Sequence, residues 1–185
     1  MQDDRQDQAA SLPQRHFGVE EGIFILLVLL SLLGIVVTDF SPHDGYGYWL
    51  LMVFVFAMLS IFVSWLQAKK SEEMDFGEIV RQQGLHWFHT LIVVGAAALL
   101  NKSGQLSEIA ASLVILLILA LATMLDGFRI GWQFSVLGFF LATCAIIIAY
   151  VQAFILACAS LAALIVIGTM VWGFWRHKHG TADES

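Results

Sequence analysis

Charged residues cut the chain into long apolar stretches. Between successive Asp, Glu, Lys and Arg, the segments Gly22–Thr38, Gly45–Ala68, Gln82–Asn101 and Ile109–Leu125 carry no formal charge, and a fifth runs from Ile130 to Trp175. A helix needs roughly 20 apolar residues, about 17 at the least, to cross some 30 Å of hydrocarbon. The first four segments meet that length. At about 1.5 Å per residue the fifth is roughly twice as long as the bilayer is thick, so it must turn back on itself. Its one polar interruption near the middle is Tyr150-Val151-Gln152, where a tight hairpin is expected. The pattern predicts an all-α, polytopic transmembrane bundle of six helices at 22–39, 47–68, 84–101, 107–125, 131–150 and 153–175.

The basic residues orient the bundle. With six crossings and both termini in the cytoplasm, Arg5, Arg15, Lys69, Lys70, Arg81, Arg129, Arg176 and Lys178 lie inside and Lys102 alone lies outside. Positive charge concentrates on the cytoplasmic side of membrane proteins. A five-crossing arrangement, with His86–Leu100 as a re-entrant stub, splits the same residues six against three and is disfavoured.

Residues 1–21 are rich in Gln and Asp, contain Pro13 and lack an apolar period, which predicts a disordered cytoplasmic tail. Their acidic character and the missing small-x-small site argue against a cleaved signal peptide. Residues 176–185 are expected to form a second cytoplasmic tail. Between the second and third spans, Phe76, Ile79, Val80 and Trp87 recur near helical spacing from Met74 on, as in a short interfacial helix.

Composition narrows the classes that remain. Of 185 residues, 59% are apolar and 13% charged, with mean hydropathy +0.80, which excludes a soluble enzyme or a disordered chain. The net charge of −6 gives no footprint for nucleic acid. The partners expected are the lipid bilayer and other membrane-protein subunits, and the compartment expected is a bacterial inner membrane.

Four groups could carry chemistry. His86 and His89 share one face of the third span, an arrangement open to haem or a metal because neutral imidazole ligates both. Beside Trp87 and Phe88, the simpler reading is a pair of interfacial residues. Asp126 and Arg129 read as a structural or lipid-contact pair marking a short solvated turn. Asp39, His43 and Asp44 offer oxygen and nitrogen ligands for a divalent cation, although such residues often serve only to solvate a loop. Rows of small residues, Gly95–Ala98, Ala145 with Ala149, and Ala153, Ala157 and Ala159 with Ala163, suit close helix packing.

No predicted span holds a charge near its centre, where one would cost at least about 2.5–3.5 kcal/mol. The interior polar groups are hydroxyls, at Ser31, Ser60, Thr90, Ser112, Thr123, Thr143 and Thr169, each able to bond its own helix backbone. Cys144 and Cys158 lie within spans and read as small apolar side chains. Three spans followed by three would be related by inversion. Thr38-Asp39-Phe40 before Gly47-Tyr48-Trp49 echoes Leu125-Asp126-Gly127-Phe128 before Gly131-Trp132, though the intervening loops differ in length. Together these features point first to a non-catalytic subunit, scaffold or regulator of a membrane assembly. The alternatives are a small passive transporter or channel, then a redox protein using His86 and His89.

Overall fold

A computed structural model describes residues 19–71, 76–150 and 154–180. Among them the chain is helical, in the order α1 (Val19–Phe40), α2 (Pro42–Ser71), α3 (Phe76–Lys102), α4 (Glu108–Ile130), α5 (Trp132–Tyr150) and α6 (Phe154–Gly180). The first five are long and apolar enough to cross a membrane, and α6 is apolar over Cys158–Trp172. Residues 1–18, 72–75, 151–153 (where the hairpin is expected) and 181–185 lie outside the described residues.

Local chemistry sets the helix ends. Ser41 caps α2, with Pro42 at its first position, where the missing N–H costs nothing; the Ser41 carbonyl accepts from Gly45 N at 2.9 Å. Ser107 caps α4, its hydroxyl oxygen accepting from Ala110 N at 3.2 Å. At the other end of α4, Gly131 takes φ 150°, a backbone state that favours glycine. Several helices outrun the charge-free stretches. The interfacial helix expected near Met74 is, from Phe76 on, simply the first turns of α3, and α6 continues to Gly180. Most consequentially, α4 runs to Ile130, so Asp126 and Arg129 sit on a helix rather than in a solvated turn.

Four helices close a ring in which α1 packs on α2, α2 on α4, α4 on α5, and α5 on α1. The third helix fills the notch between α2 and α4; α6 fills the notch between α5 and α1. Moving every helix three places along the chain reproduces this whole set of principal pairings. With three helices per half, this repeated pairing is the pattern that two halves related by inversion would give.

The corners match as well. A single residue, Ser41 or Gly131, separates α1 from α2 and α4 from α5, and the unequal loops expected at these junctions are equal in the fold. Seven residues either side of each corner, a glycine meets a large side chain. Gly34 lies against the Tyr48 ring, with no room for a Cβ, and Gly138 lies against Met124 and the Ala120 carbonyl with the same constraint. The glycine is on the first helix of one corner and on the second helix of the other.

Trp49, Phe56, Phe140, Leu27, Leu116, Leu119 and Leu137 fill the interior, all essentially inaccessible. Large apolar side chains also cover the exterior, among them Leu29, Phe54, Met58, Ile92, Leu121 and Phe139. Such a surface is far more apolar than water tolerates and suits hydrocarbon.

Candidate functional site

Helical spacing builds a polar column where α2, α3 and α4 meet. On α2, Ser60, Ser64 and Gln67 recur at four and then three residues, so they share a face. Gln83 and Trp87 do the same on α3, as do Asp126 and Ile130 on α4. These rows meet in three successive layers. Gln67 Nε2 donates to the Ile130 carbonyl at 2.8 Å, and Gln83 Nε2 donates to Ser64 Oγ at 3.0 Å. In the innermost layer Trp87 Nε1 donates to Ser60 Oγ at 3.2 Å, and the Ser60 hydroxyl donates to Asp126 Oδ2.

Asp126 is 1% exposed and Gln83 3% exposed, so neither carries its polar atoms to solvent. Each nonetheless has one oxygen, Asp126 Oδ1 and Gln83 Oε1, with no partner. Ser60 has a single hydrogen and spends it on Oδ2, so it cannot serve Oδ1. A buried acceptor without a donor costs about 1–3 kcal/mol, and more when charged. The carboxyl group lies four residues from the end of α4, about 6 Å inside it at ~1.5 Å per residue. A cavity of about 290 Å³, lined by Ser64, Gln67, Gln82, Gln83 and Arg129 among others, opens the outer layers of this column at the same end of the bundle.

Asp126 and Arg129 engage different partners. Arg129 is exposed and its Nη1 donates to the Gln82 carbonyl at 3.4 Å. Of the hydroxyls expected to bond their own backbones, those of Ser31, Thr90, Ser112, Thr123, Thr143 and Thr169 do so, and Thr38 does the same. Ser60 departs from that rule, because a carboxylate from another helix takes its hydrogen. Ser64, Gln67 and Gln83 carry no signal in the sequence beyond a polar row at helical spacing inside a charge-free stretch, and Trp87, read there as an apolar interfacial residue, joins them through its indole N–H.

His86 and His89 line a different feature, a groove of about 630 Å³ between α3 and α4. His86 Nε2 donates to the Ala122 carbonyl at 3.1 Å, and His89 Nδ1 donates to the Leu85 carbonyl at 2.6 Å. A carbonyl only accepts, so these two nitrogens carry the hydrogens and the other nitrogen of each ring is left open. Among the described residues, no three His, Cys, Asp or Glu side chains converge as a metal site would need. At the opposite end of the bundle, His43 Nδ1 pairs with Glu108 Oε1 at 2.8 Å, joining the first turn of α2 to that of α4, while Asp39 and Asp44 are exposed. Asp39 sits two residues before its corner and Asp126 five before its own, so the two acids are not counterparts. Cys144 on α5 and Cys158 on α6 are free and buried.

Among known proteins, the chain matches no family model, no curated protein and no solved structure.

Proposed function

We propose that this protein passes a small monovalent cation, a proton included, across a bacterial inner membrane, with Asp126 as the carboxylate that receives it. The observation that carries the reading is the free Oδ1 of a carboxyl group buried among apolar helices. Ionisable residues within membrane spans are costly, and those that persist commonly serve a pathway or relay. One carboxylate offers one negative charge, which a monovalent ion balances and a divalent ion does not. The paired arrangement of helices supports the same reading, because inverted halves are a recurrent transporter architecture with the ion site at their interface. Asp126 on α4 and Ser60 on α2 bond across that interface. Both termini are assigned to the cytoplasm from the basic residues, which puts the column's open end on that side.

Reconstitution into liposomes with an imposed proton, sodium or potassium gradient tests this directly. Cation flux is expected for the wild-type chain, with a loss of at least about tenfold in Asp126→Asn, a change that removes the charge and keeps an acceptor for Ser60. Absence of flux for all three ions, or equal flux in the variant, overturns the proposal.

A second reading, as a non-catalytic subunit of a larger assembly, is favoured by one feature. Of the five long helices α3 buries the smallest share of its best apolar window, 28%, leaving Phe88, Ile92 and Leu99 uncovered. Purification in mild detergent distinguishes the readings, since an assembly subunit would carry stoichiometric partners with it.

A further inference from the structure

The groove between α3 and α4 changes character along its length. At the end where α3 begins and α4 stops, it is lined by Gln82, His86, His89 and Arg129; toward mid-membrane, Val93, Ile118 and Leu121 take over. From Gln82 to Val93 is eleven residues of helix, about 16 Å at ~1.5 Å per residue. That is close to half of a ~30 Å hydrocarbon core, the depth of one leaflet. Leu85, His89, Val93, Leu121 and Leu125 are all exposed, so the groove faces sideways into lipid rather than inward to the ring.

No acid among the described residues pairs with the positive charge at its polar end. Among the described residues Arg129 makes one hydrogen bond, the 3.4 Å contact with the Gln82 carbonyl, which leaves most of its five N–H donors open. The nearest acid on its own helix, Asp126, is turned inward to Ser60. The acid on the facing helix, Glu78, is held by Arg81 at 3.0 Å and by Gln82 Nε2 at 3.1 Å. His86 and His89, each fixed by one backbone bond, present their remaining ring nitrogens near the same end.

We propose that this groove is a binding site for one anionic phospholipid of the surrounding bilayer. Arg129 receives the phosphate, in the forked geometry that guanidinium and phosphate share, with His89 beside it. One acyl chain lies against Val93, Ile118 and Leu121. Basic pockets between membrane helices select anionic headgroups in this way. A zwitterionic lipid would place its ammonium next to Arg129, whereas a headgroup bearing only the phosphate charge would not. The site shares Gln82 and Arg129 with the cavity above the Asp126 column, but it stands whether or not the protein transports ions.

Native mass spectrometry and thermal unfolding in nanodiscs of phosphatidylcholine, with and without phosphatidylglycerol, test the proposal. Phosphatidylglycerol is expected to raise the unfolding midpoint and to leave a one-lipid adduct on the wild-type chain. Arg129→Gln should weaken that adduct about tenfold, as loss of a charge-assisted bond predicts, while unfolding in pure phosphatidylcholine stays unchanged. Val93→Trp, which fills the apolar half, should remove the adduct with Arg129 intact. The proposal is overturned by equal midpoints in the two lipids, by an adduct that survives both substitutions, or by inorganic phosphate alone reproducing the stabilisation.

Discussion

Ser60 joins two hydrogen bonds that cross between helices, accepting from Trp87 and donating to Asp126. Removing its hydroxyl would leave an indole N–H and both carboxyl oxygens buried without partners. At about 1–3 kcal/mol for each of the two newly orphaned groups, Ser60→Ala should cost about 2–6 kcal/mol, seen as a lowered unfolding midpoint in detergent or lipid. By contrast Thr123→Ala deletes a bond to the helix's own Leu119 carbonyl and should cost well under about 1 kcal/mol, because that carbonyl already accepts a helical N–H. A similar loss from both substitutions would show that the polar column contributes nothing special to the fold. The sequence conceals this distinction: the two residues look alike as small hydroxyls in apolar runs, and only the arrival of Asp126 from another helix separates them.

At the scale of helices, each one-residue corner works because a glycine faces a bulky side chain. Gly138→Leu would push its branch into Met124 and the Ala120 carbonyl, and overpacking of this kind costs about 1–3 kcal/mol, occasionally more. Adding Met124→Gly should recover part of the loss but not all, since the backbone carbonyl stays in place. Unfolding of both variants measures this; no recovery would mean that the helix pair is held by something other than this fit. All six helices are legible from the charge-free stretches, because in hydrocarbon only a fully hydrogen-bonded apolar helix is stable. Their ends are not. Cutting at the nearest charge stops the fourth span at Leu125, the residue before the one that matters most, and makes a buried acid look like the edge of a loop. The small-residue rows are mixed, with Ala97 and Ala145 buried in the core. Gly95 and Ala96 are exposed, whereas the tight contacts fall at Gly34 and Gly138, which belong to no such row.

For the molecule as a whole, sidedness is the quantity to measure. From the basic residues, both termini and the C-terminal ends of α2 and α4 are expected on the cytoplasmic side. In a background carrying Cys144→Ala and Cys158→Ala, a cysteine at Asp44 should react with an impermeant maleimide added outside intact cells. One at Lys69 should react only after permeabilisation. Both positions are exposed, and they lie near opposite ends of α2. Labelling of both from the same side would contradict a helix that crosses the bilayer, and the reverse pattern would invert the orientation.

The single-residue corners at Ser41 and Gly131 also govern how this protein can change shape. With no slack to absorb a hinge, and with close-fitted layers on either side, each hairpin is a stiff jaw. Freedom of movement is then left to the seams along which the jaws meet, α2 against α4 and α5 against α1. The Ser60–Asp126 bond bridges the first of these, so a cation at the open carboxyl oxygen would act on a clasp between the two halves.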